Sequence, residues 1–361
     1  MSTHDPANQA SQASPVTSEP ETSPANGGEP ETLTATWART RLPRREIGTH
    51  KWEVGGLLVI GGAPTYVGAA GLAAMAAQRG GAGIVRMAVP RSIVGPLVGL
   101  VPEATFVLLP ETESLTGARQ AVIAIREAMV ECKAVLVGPG LGDDEAASGL
   151  LRAFFGTAET ARPAASSLGF DMPAAKREVV ESTAIAEAPE RDPMPMVIDA
   201  DGLNWLAAQE DWPSLLIGLR AVLTPHPGEL GRLAGIDTAE VVADPVGRAV
   251  ALARRAGQVV VSKYGQTVVT DGEVVLVAPT ASPALATAGT GDVLAGTIAA
   301  FLAQGLSPVD AAGLAVYLGS MAAESLVPRT GILGLVASDL PLAIAAEIAI
   351  LERKVGQGGV L

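Results

Sequence analysis

The segment with the greatest chemical reach in this chain is Ala286-Thr287-Ala288-Gly289-Thr290-Gly291-Asp292-Val293-Leu294-Ala295-Gly296. Small residues run into a helix expected to start near Asp292. The glycines let backbone come close to a ligand. A helix N-terminus offers unpaired N–H groups and partial positive charge, which suits phosphate. Asp292 has two readings there. It is an ordinary N-cap, a position Asp favours, or a general base beside a transferred phosphoryl group. No Gly-Lys-Ser/Thr follows, so this is not a Walker A loop.

Five further segments carry residue types of the same kind. In Val197-Ile198-Asp199-Ala200-Asp201-Gly202-Leu203-Asn204 two carboxylates follow an apolar strand, at the edge where α/β ligands bind. They could hold Mg²⁺ through water, or Asp201 could cap the next helix. In Leu223-Thr224-Pro225-His226-Pro227-Gly228-Glu229 the imidazole is held between prolines and Glu229 falls in a first helical turn. It is a plain strand-to-helix turn, or a ligand-contacting His with a carboxylate near phosphates. Val137-Gly138-Pro139-Gly140-Leu141-Gly142 and the loop from Gly61 through Tyr66 and Gly68 to Ala69 also join strand to helix. Neither has the Gly-x-Gly-x-x-Gly spacing of a dinucleotide fingerprint. Lys263-Tyr264-Gly265-Gln266-Thr267 lies between two strands.

The elements that must position these residues follow from hydrophobic patterning. Strands are expected at 56–60, 84–89, 134–137, 197–199, 221–224 and 259–262, with a hairpin of 266–270 and 274–277 around Asp271-Gly272. Helices are expected at 68–78, 121–130, 145–155, 202–209, 227–234, 245–256, 293–304 and 308–326. Such alternation implies an α/β fold with a mainly parallel sheet covered on both faces. Residues 1–35 read as a disordered acidic tail, 36–345 as one catalytic domain and 346–361 as a C-terminal tail. Within the domain, 156–195 reads as a surface insertion, partly disordered, with a short helix around 174–185. Arg39, Arg41, Arg44, Arg45 and Lys51 form a basic stretch, either a solvated entry to the domain or a contact with a phosphate-bearing ligand or neighbouring subunit.

Composition narrows the function classes. The 361 residues carry a net charge of −13, which argues against nucleic-acid and anionic-membrane partners. Residues 54–78 hold no charge, but their glycines and Pro64 break a membrane span. The single Cys132 excludes an intrachain disulfide and fits a reducing cytoplasm. Aromatics are only 3%, so the core must be built from Ala, Val, Leu and Ile.

Together the six segments resemble the ADP- or ATP-dependent NAD(P)H-hydrate dehydratases of the ribokinase-like superfamily, from about Lys51 to Asp339. The resemblance implies a three-layer ribokinase-like sandwich, a hydro-lyase that restores hydrated NADH and NADPH, Mg²⁺, and ADP or ATP as co-substrate. It implies that Ala69, Gly142, His226 and Asp292 touch the hydrate. Lys263, Tyr264, Gly265, Gln266, Thr267, Gly289, Thr290 and Gly291 would touch the nucleotide. Asp199, Asp201 and Glu229 are the candidate magnesium ligands, reached through water. It further implies a homotetramer or larger, with the epimerase that many relatives carry supplied by a separate chain. Three positions depart from the family pattern: Tyr264 is inserted between Lys and Gly, Leu318-Gly319 replaces a His-Gly, and Ala281-Ser282-Pro283 replaces Gly-Asn-Pro. Two rivals share parts of the pattern, a vitamin or thiazole kinase and a non-catalytic nucleotide-binding regulator. Tyr66-x-Gly68-Ala69 favours the dehydratase over the first, and Asp292 over the second.

Overall fold

The computed structural model describes residues 28–111, 114–156 and 193–356. The expectations for 1–27, for nearly all of the insertion and for 357–361 lie outside those residues. Among these residues ten strands form one sheet: β1 (Glu31–Thr32), β2 (Gly56–Ile60), β3 (Ile84–Pro90), β4 (Thr105–Leu109), β5 (Ala134–Val137), β6 (Pro195–Ile198), β7 (Arg220–Leu223), β8 (Val259–Ser262), β9 (Val268–Thr270) and β10 (Val275–Val277). Their order is β1-β10-β9-β8-β7-β6-β5-β2-β3-β4. Neighbours pair in parallel except β9, which is antiparallel to both β8 and β10.

Among the described residues thirteen α-helices accompany the sheet. They are α1 (Ala35–Arg41), α2 (Lys51–Val54), α3 (Val67–Arg79), α4 (Val94–Leu100), α5 (Leu115–Met129), α6 (Glu145–Phe155), α7 (Asp201–Ala207), α8 (Pro227–Ala234), α9 (Thr238–Ala243), α10 (Pro245–Ala256), α11 (Thr290–Ala303), α12 (Pro308–Gly334) and α13 (Leu340–Gly356). The period of two along each strand sorts them into layers. Leu57, Val59, Leu136, Val197 and Val222 face a core shared with α1, α3, α4, α11, α12 and α13. Leu58, Ile60, Val135, Ile198 and Leu223 face a second core shared with α5 to α10. With so few aromatics, α3 and α11 approach through small residues. A Cβ on Gly296 would stand 2.1 Å from the Ala73 carbonyl oxygen.

Several expectations change. Residues 28–35 are not tail: β1 pairs with β10, and Leu33 is 1% exposed. Residues 346–356 are not tail either, since α13 carries them and buries Leu351. The last long helix runs on to Gly334, with a break in helical geometry at Gly331. The uncharged stretch 54–78 folds as strand, loop and helix. By length and composition α12 is apolar enough to cross a membrane, yet most of that window is buried within the protein. In the basic stretch, Arg41 bonds Asp310 at 2.6 Å and stacks on Trp37, so that residue serves the fold.

Candidate active site

The expected residues gather at the carboxyl ends of β2, β5, β6, β7 and β8, facing the N-terminus of α11. The helix cap is Gly289, with φ of 91°, a conformation costly for other residues. Its Cβ would also stand 2.6 Å from Leu72 Cδ1. Thr290 Oγ1 donates to the Leu285 and Thr287 carbonyls, fixing the loop before the helix. Asp292 is therefore the third helical residue, and the N-cap reading is overturned. Burial, then the nearby Asp199 carboxylate, pushes its pKa up to about 7, although Lys263 pulls the other way.

Asp199, 1% exposed, sits at the centre. Its Oδ1 accepts from Lys263 Nζ at 2.8 Å and from Thr224 Oγ1 at 2.7 Å. Burial alone would depress the Lys263 pKa, but Asp199, Glu229 and Asp292 outweigh it and hold the ammonium charged. A Cβ on Gly291 would lie 3.2 Å from Lys263 Nζ, so this cation stands over the helix start. The next residue, Ala200, has φ of 47°, the one non-glycine with positive φ among the described residues. That strained bend separates the two carboxylates: Asp199 turns toward Lys263, while Asp201 begins α7 and accepts from the Gly142 N–H at 2.8 Å. Gly138 makes the bend possible, because a Cβ there would be 1.9 Å from the Asp199 carbonyl oxygen.

His226 is the N-cap of α8. Its Nδ1 accepts from the Gly228 and Glu229 amides at 3.0 and 3.4 Å, and Glu229 accepts from the His226 N–H at 2.8 Å. This is a reciprocal capping box, with imidazole as the cap. Nε2 lies 3.4 Å from Glu229 Oε1, and the half-exposed ring can still meet a ligand. Burial, then the Lys263 and Arg232 cations, lowers the His226 pKa. Burial also raises Glu229 to about 7, against the pull of Lys263.

Two cavities flank this centre. One, of about 510 Å³, is lined by Lys263, Tyr264, Gly265, Thr267, Thr290 and Gly291 on one side. All three departures from the family pattern reach it, through Tyr264, Gly319 and Ala281-Ser282-Pro283. Thr280 Oγ1, also in its wall, is buried without a hydrogen-bond partner and is available to a ligand. Gln266 and Gly289 do not line it. Gln266 Nε2 donates to the Ala278 carbonyl at 2.6 Å, and Gly289 shapes the helix start. Ala69 is half-buried in the first turn of α3 and packs toward Gly140. The other cavity, about 480 Å³, lies beyond the loops 61–64 and 139–142.

The expected magnesium ligands lie around the same centre, each with a partner within the protein, and all three raise the Asp292 pKa. Asp199 is engaged by Lys263 and Thr224, Asp201 by Gly142, and Glu229 by the His226 backbone. Among the described residues no three His, Cys, Asp or Glu side chains gather as a metal site. The donor set does not fit a magnesium ion held directly by Asp199, Asp201 and Glu229. The Lys263–Asp199 pair is what the sequence reading missed. It spans two strands separated by β7, and nothing in the spacing of 64 residues signals it.

A mainly parallel sheet in this order, with a Gly-rich helix start facing the strand ends, defines a ribokinase-like α/β protein. The NAD(P)H-hydrate dehydratase family matches residues 57–163 and 174–345, and the chain belongs to that family. It is 36% identical to the bifunctional NAD(P)H-hydrate repair enzyme Nnr of Moorella thermoacetica, over 90% of this chain and 54% of that protein. It is 30% identical to the ADP-dependent (S)-NAD(P)H-hydrate dehydratase of Xanthomonas campestris pv. campestris, over 89% of this chain and 97% of that one. Among solved structures, the ADP/ATP-dependent NAD(P)H-hydrate dehydratase of Bacillus subtilis, co-crystallized with ATP/Mg²⁺, superposes with a TM-score of 0.69. It is 26% identical and covers 90% of this chain and 99% of that one. The chain spans about half the length of the bifunctional relatives.

Proposed function

We propose that this protein dehydrates the hydrated cofactors NADHX and NADPHX to NADH and NADPH, using ADP or ATP. The observation that carries the reading is Asp292, a carboxylate tuned to about pH 7 beside the Lys263 ammonium, at a helix N-terminus that opens on a nucleotide-sized cavity. A general base works best with a pKa near the operating pH. Family membership supplies the substrate class.

Asp292 takes the proton from the ring hydroxyl as its oxygen attacks the terminal phosphorus. The bond to the bridging oxygen breaks, releasing AMP from ADP, or ADP from ATP. The amides at the start of α11 and the Lys263 ammonium stabilise charge on the transferring group. The ring-nitrogen lone pair then expels phosphate, and loss of the neighbouring ring proton restores the dihydronicotinamide. Magnesium, with which the B. subtilis enzyme was co-crystallized together with ATP, would neutralise charge on the nucleotide phosphates.

The test is to supply NADHX with ADP and ATP in parallel and follow the returning absorbance of reduced nicotinamide. Recovery with either nucleotide supports the reading. A phosphorylated product that accumulates without recovery points instead to a small-molecule kinase. The resemblance extends the proposal to a homotetramer, to a separate epimerase chain and to the cytoplasm. The last suits a chain whose one cysteine is buried and free.

A further inference from the structure

The bend at Ala200 joins two contacts that belong to opposite sides of the catalytic centre. Its φ of 47° and ψ of −116° are those of the first central residue of a type II′ turn, a place that glycine normally takes. The Gly202 N–H closes the turn on the Asp199 carbonyl at 3.0 Å. An alanine in this conformation is strained, and such strain persists only where the surroundings over-determine it. Here they do. The Asp199 N–H donates to the Val137 carbonyl at 3.0 Å. Gly138 is pressed against the turn so closely that a Cβ on it would stand 1.9 Å from the Asp199 carbonyl oxygen and 2.8 Å from the Gly202 nitrogen.

One arm of the turn reaches the nucleotide side. Asp199 Oδ1 accepts from Lys263 Nζ at 2.8 Å and from Thr224 Oγ1 at 2.7 Å, and Lys263 lines the 510 Å³ cavity. The other arm reaches the far side. Asp201 Oδ2 accepts from the Gly142 N–H at 2.8 Å, and Gly142 follows Leu141, which lines the 480 Å³ cavity. For a residue with a Cβ, positive and negative φ are separate wells with a forbidden zone between them. The turn therefore has two discrete settings. Relaxation of Ala200 to negative φ would displace both carboxylates together, because it is the one residue between them.

On the reading of the protein as a hydrate dehydratase, the nucleotide occupies the larger cavity and the hydrate meets it at Asp292 from the side of Gly142. We propose that the Asp199-Ala200-Asp201 turn is a strut that couples the two sites, with Ala200 and Asp201 as positioning residues that act through Lys263 and Gly142. A ligand that fixes either arm holds the turn in its strained setting, so the second ligand finds its own arm already in place. The ordering cost falls on the first ligand alone, and each substrate favours the binding of the other.

The experiment is a calorimetric titration of adenylyl imidodiphosphate, an ATP analogue that does not transfer its terminal phosphoryl group, with and without saturating NADHX. In the wild type the hydrate should tighten the analogue by about fivefold or more, the lower end of ordinary coupling between sites. Asp201→Ala removes the bond to Gly142 and should bring that ratio to about one without tightening the analogue alone. Asp201→Asn keeps an oxygen that can accept from Gly142 and should keep the ratio. Ala200→Gly adopts positive φ without strain and is the second variant, should Asp201→Ala fail to fold. It should also bring the ratio toward one, but by the opposite route: the analogue alone binds more tightly, and the melting temperature holds or rises. A merely structural role would lower the melting temperature and weaken both ligands while leaving the ratio where it was. A wild-type ratio near one overturns the proposal, as does an unchanged ratio in folded Asp201→Ala or Ala200→Gly, or a ratio lost in Asp201→Asn. Failure of the wild type to restore reduced nicotinamide from NADHX with ADP or ATP would instead remove the underlying reading.

Discussion

Asp292 carries two separable properties, a position in a helical turn and a titrating proton. Asp292→Asn keeps the size and polarity of the side chain but cannot accept the proton. Turnover should fall at least about a hundredfold, while nucleotide binding and the folded state persist. With base action, kcat/KM in the wild type should climb with unit slope up to about pH 7 and level off above it. Stability should run the other way. Asp292 and Glu229 hold their protons more tightly folded than unfolded, where they titrate near 3.8 and 4.5. Their contribution is full below about pH 4 and is lost as pH rises through about 7. Thermal melts from pH 5 to pH 8 should show that decline, and Asp292→Asn should flatten it. At His226 the cap and the ligand contact can also be told apart. Asn caps well where Ala does not, a difference of about 1 kcal/mol. His226→Asn should recover the stability that His226→Ala loses, and any loss of hydrate affinity left in the Asn variant measures the contact.

At the scale of elements, close backbone approach governs both the site and the core. Gly296→Ala would force α11 away from α3, and Gly138→Ala would push the 137–142 loop off Asp199. Overpacking of this kind costs about 1–3 kcal/mol, to which positive φ at Gly138 adds. Gly138→Ala should also cut turnover, because Asp199 positions Lys263, whereas Gly296→Ala should act chiefly on the melting temperature. These elements were unequally legible in the sequence. β2, β5, β7 and β8 are short apolar runs with turn residues beyond them, and Asp271-Gly272 announced its hairpin. β4 was missed because it is an edge strand whose residues are mostly not buried. β1 was missed because two residues inside a polar segment carry no period. The six motifs lie at strand ends and helix starts, but Asp292 stands in the first turn of α11 rather than at its cap, and Gln266 turns to the Ala278 carbonyl instead of the cavity. Which carboxylate met which cation did not follow, since that depends on strand order and on the bend at Ala200.

At the scale of the molecule, the N-terminal segment is part of the fold. Leu33→Ala should cost about 2–5 kcal/mol in chemical denaturation, as for other buried leucines. A truncation that removes residues through Thr34 should be markedly less stable than one ending at residue 27. The sheet explains why. β1 is made early, yet its hydrogen-bonding partner is β10, and the nucleotide cavity is not walled until Leu340 and Ile344 of α13 are in place. At ordinary translation speeds, Thr32 waits roughly 10–50 s for Val277 to be synthesised. On the ribosome β1 therefore stays unpaired until β10 has emerged. The cavity proposed to hold the nucleotide is walled later still, by α13, so its binding would report a completed fold.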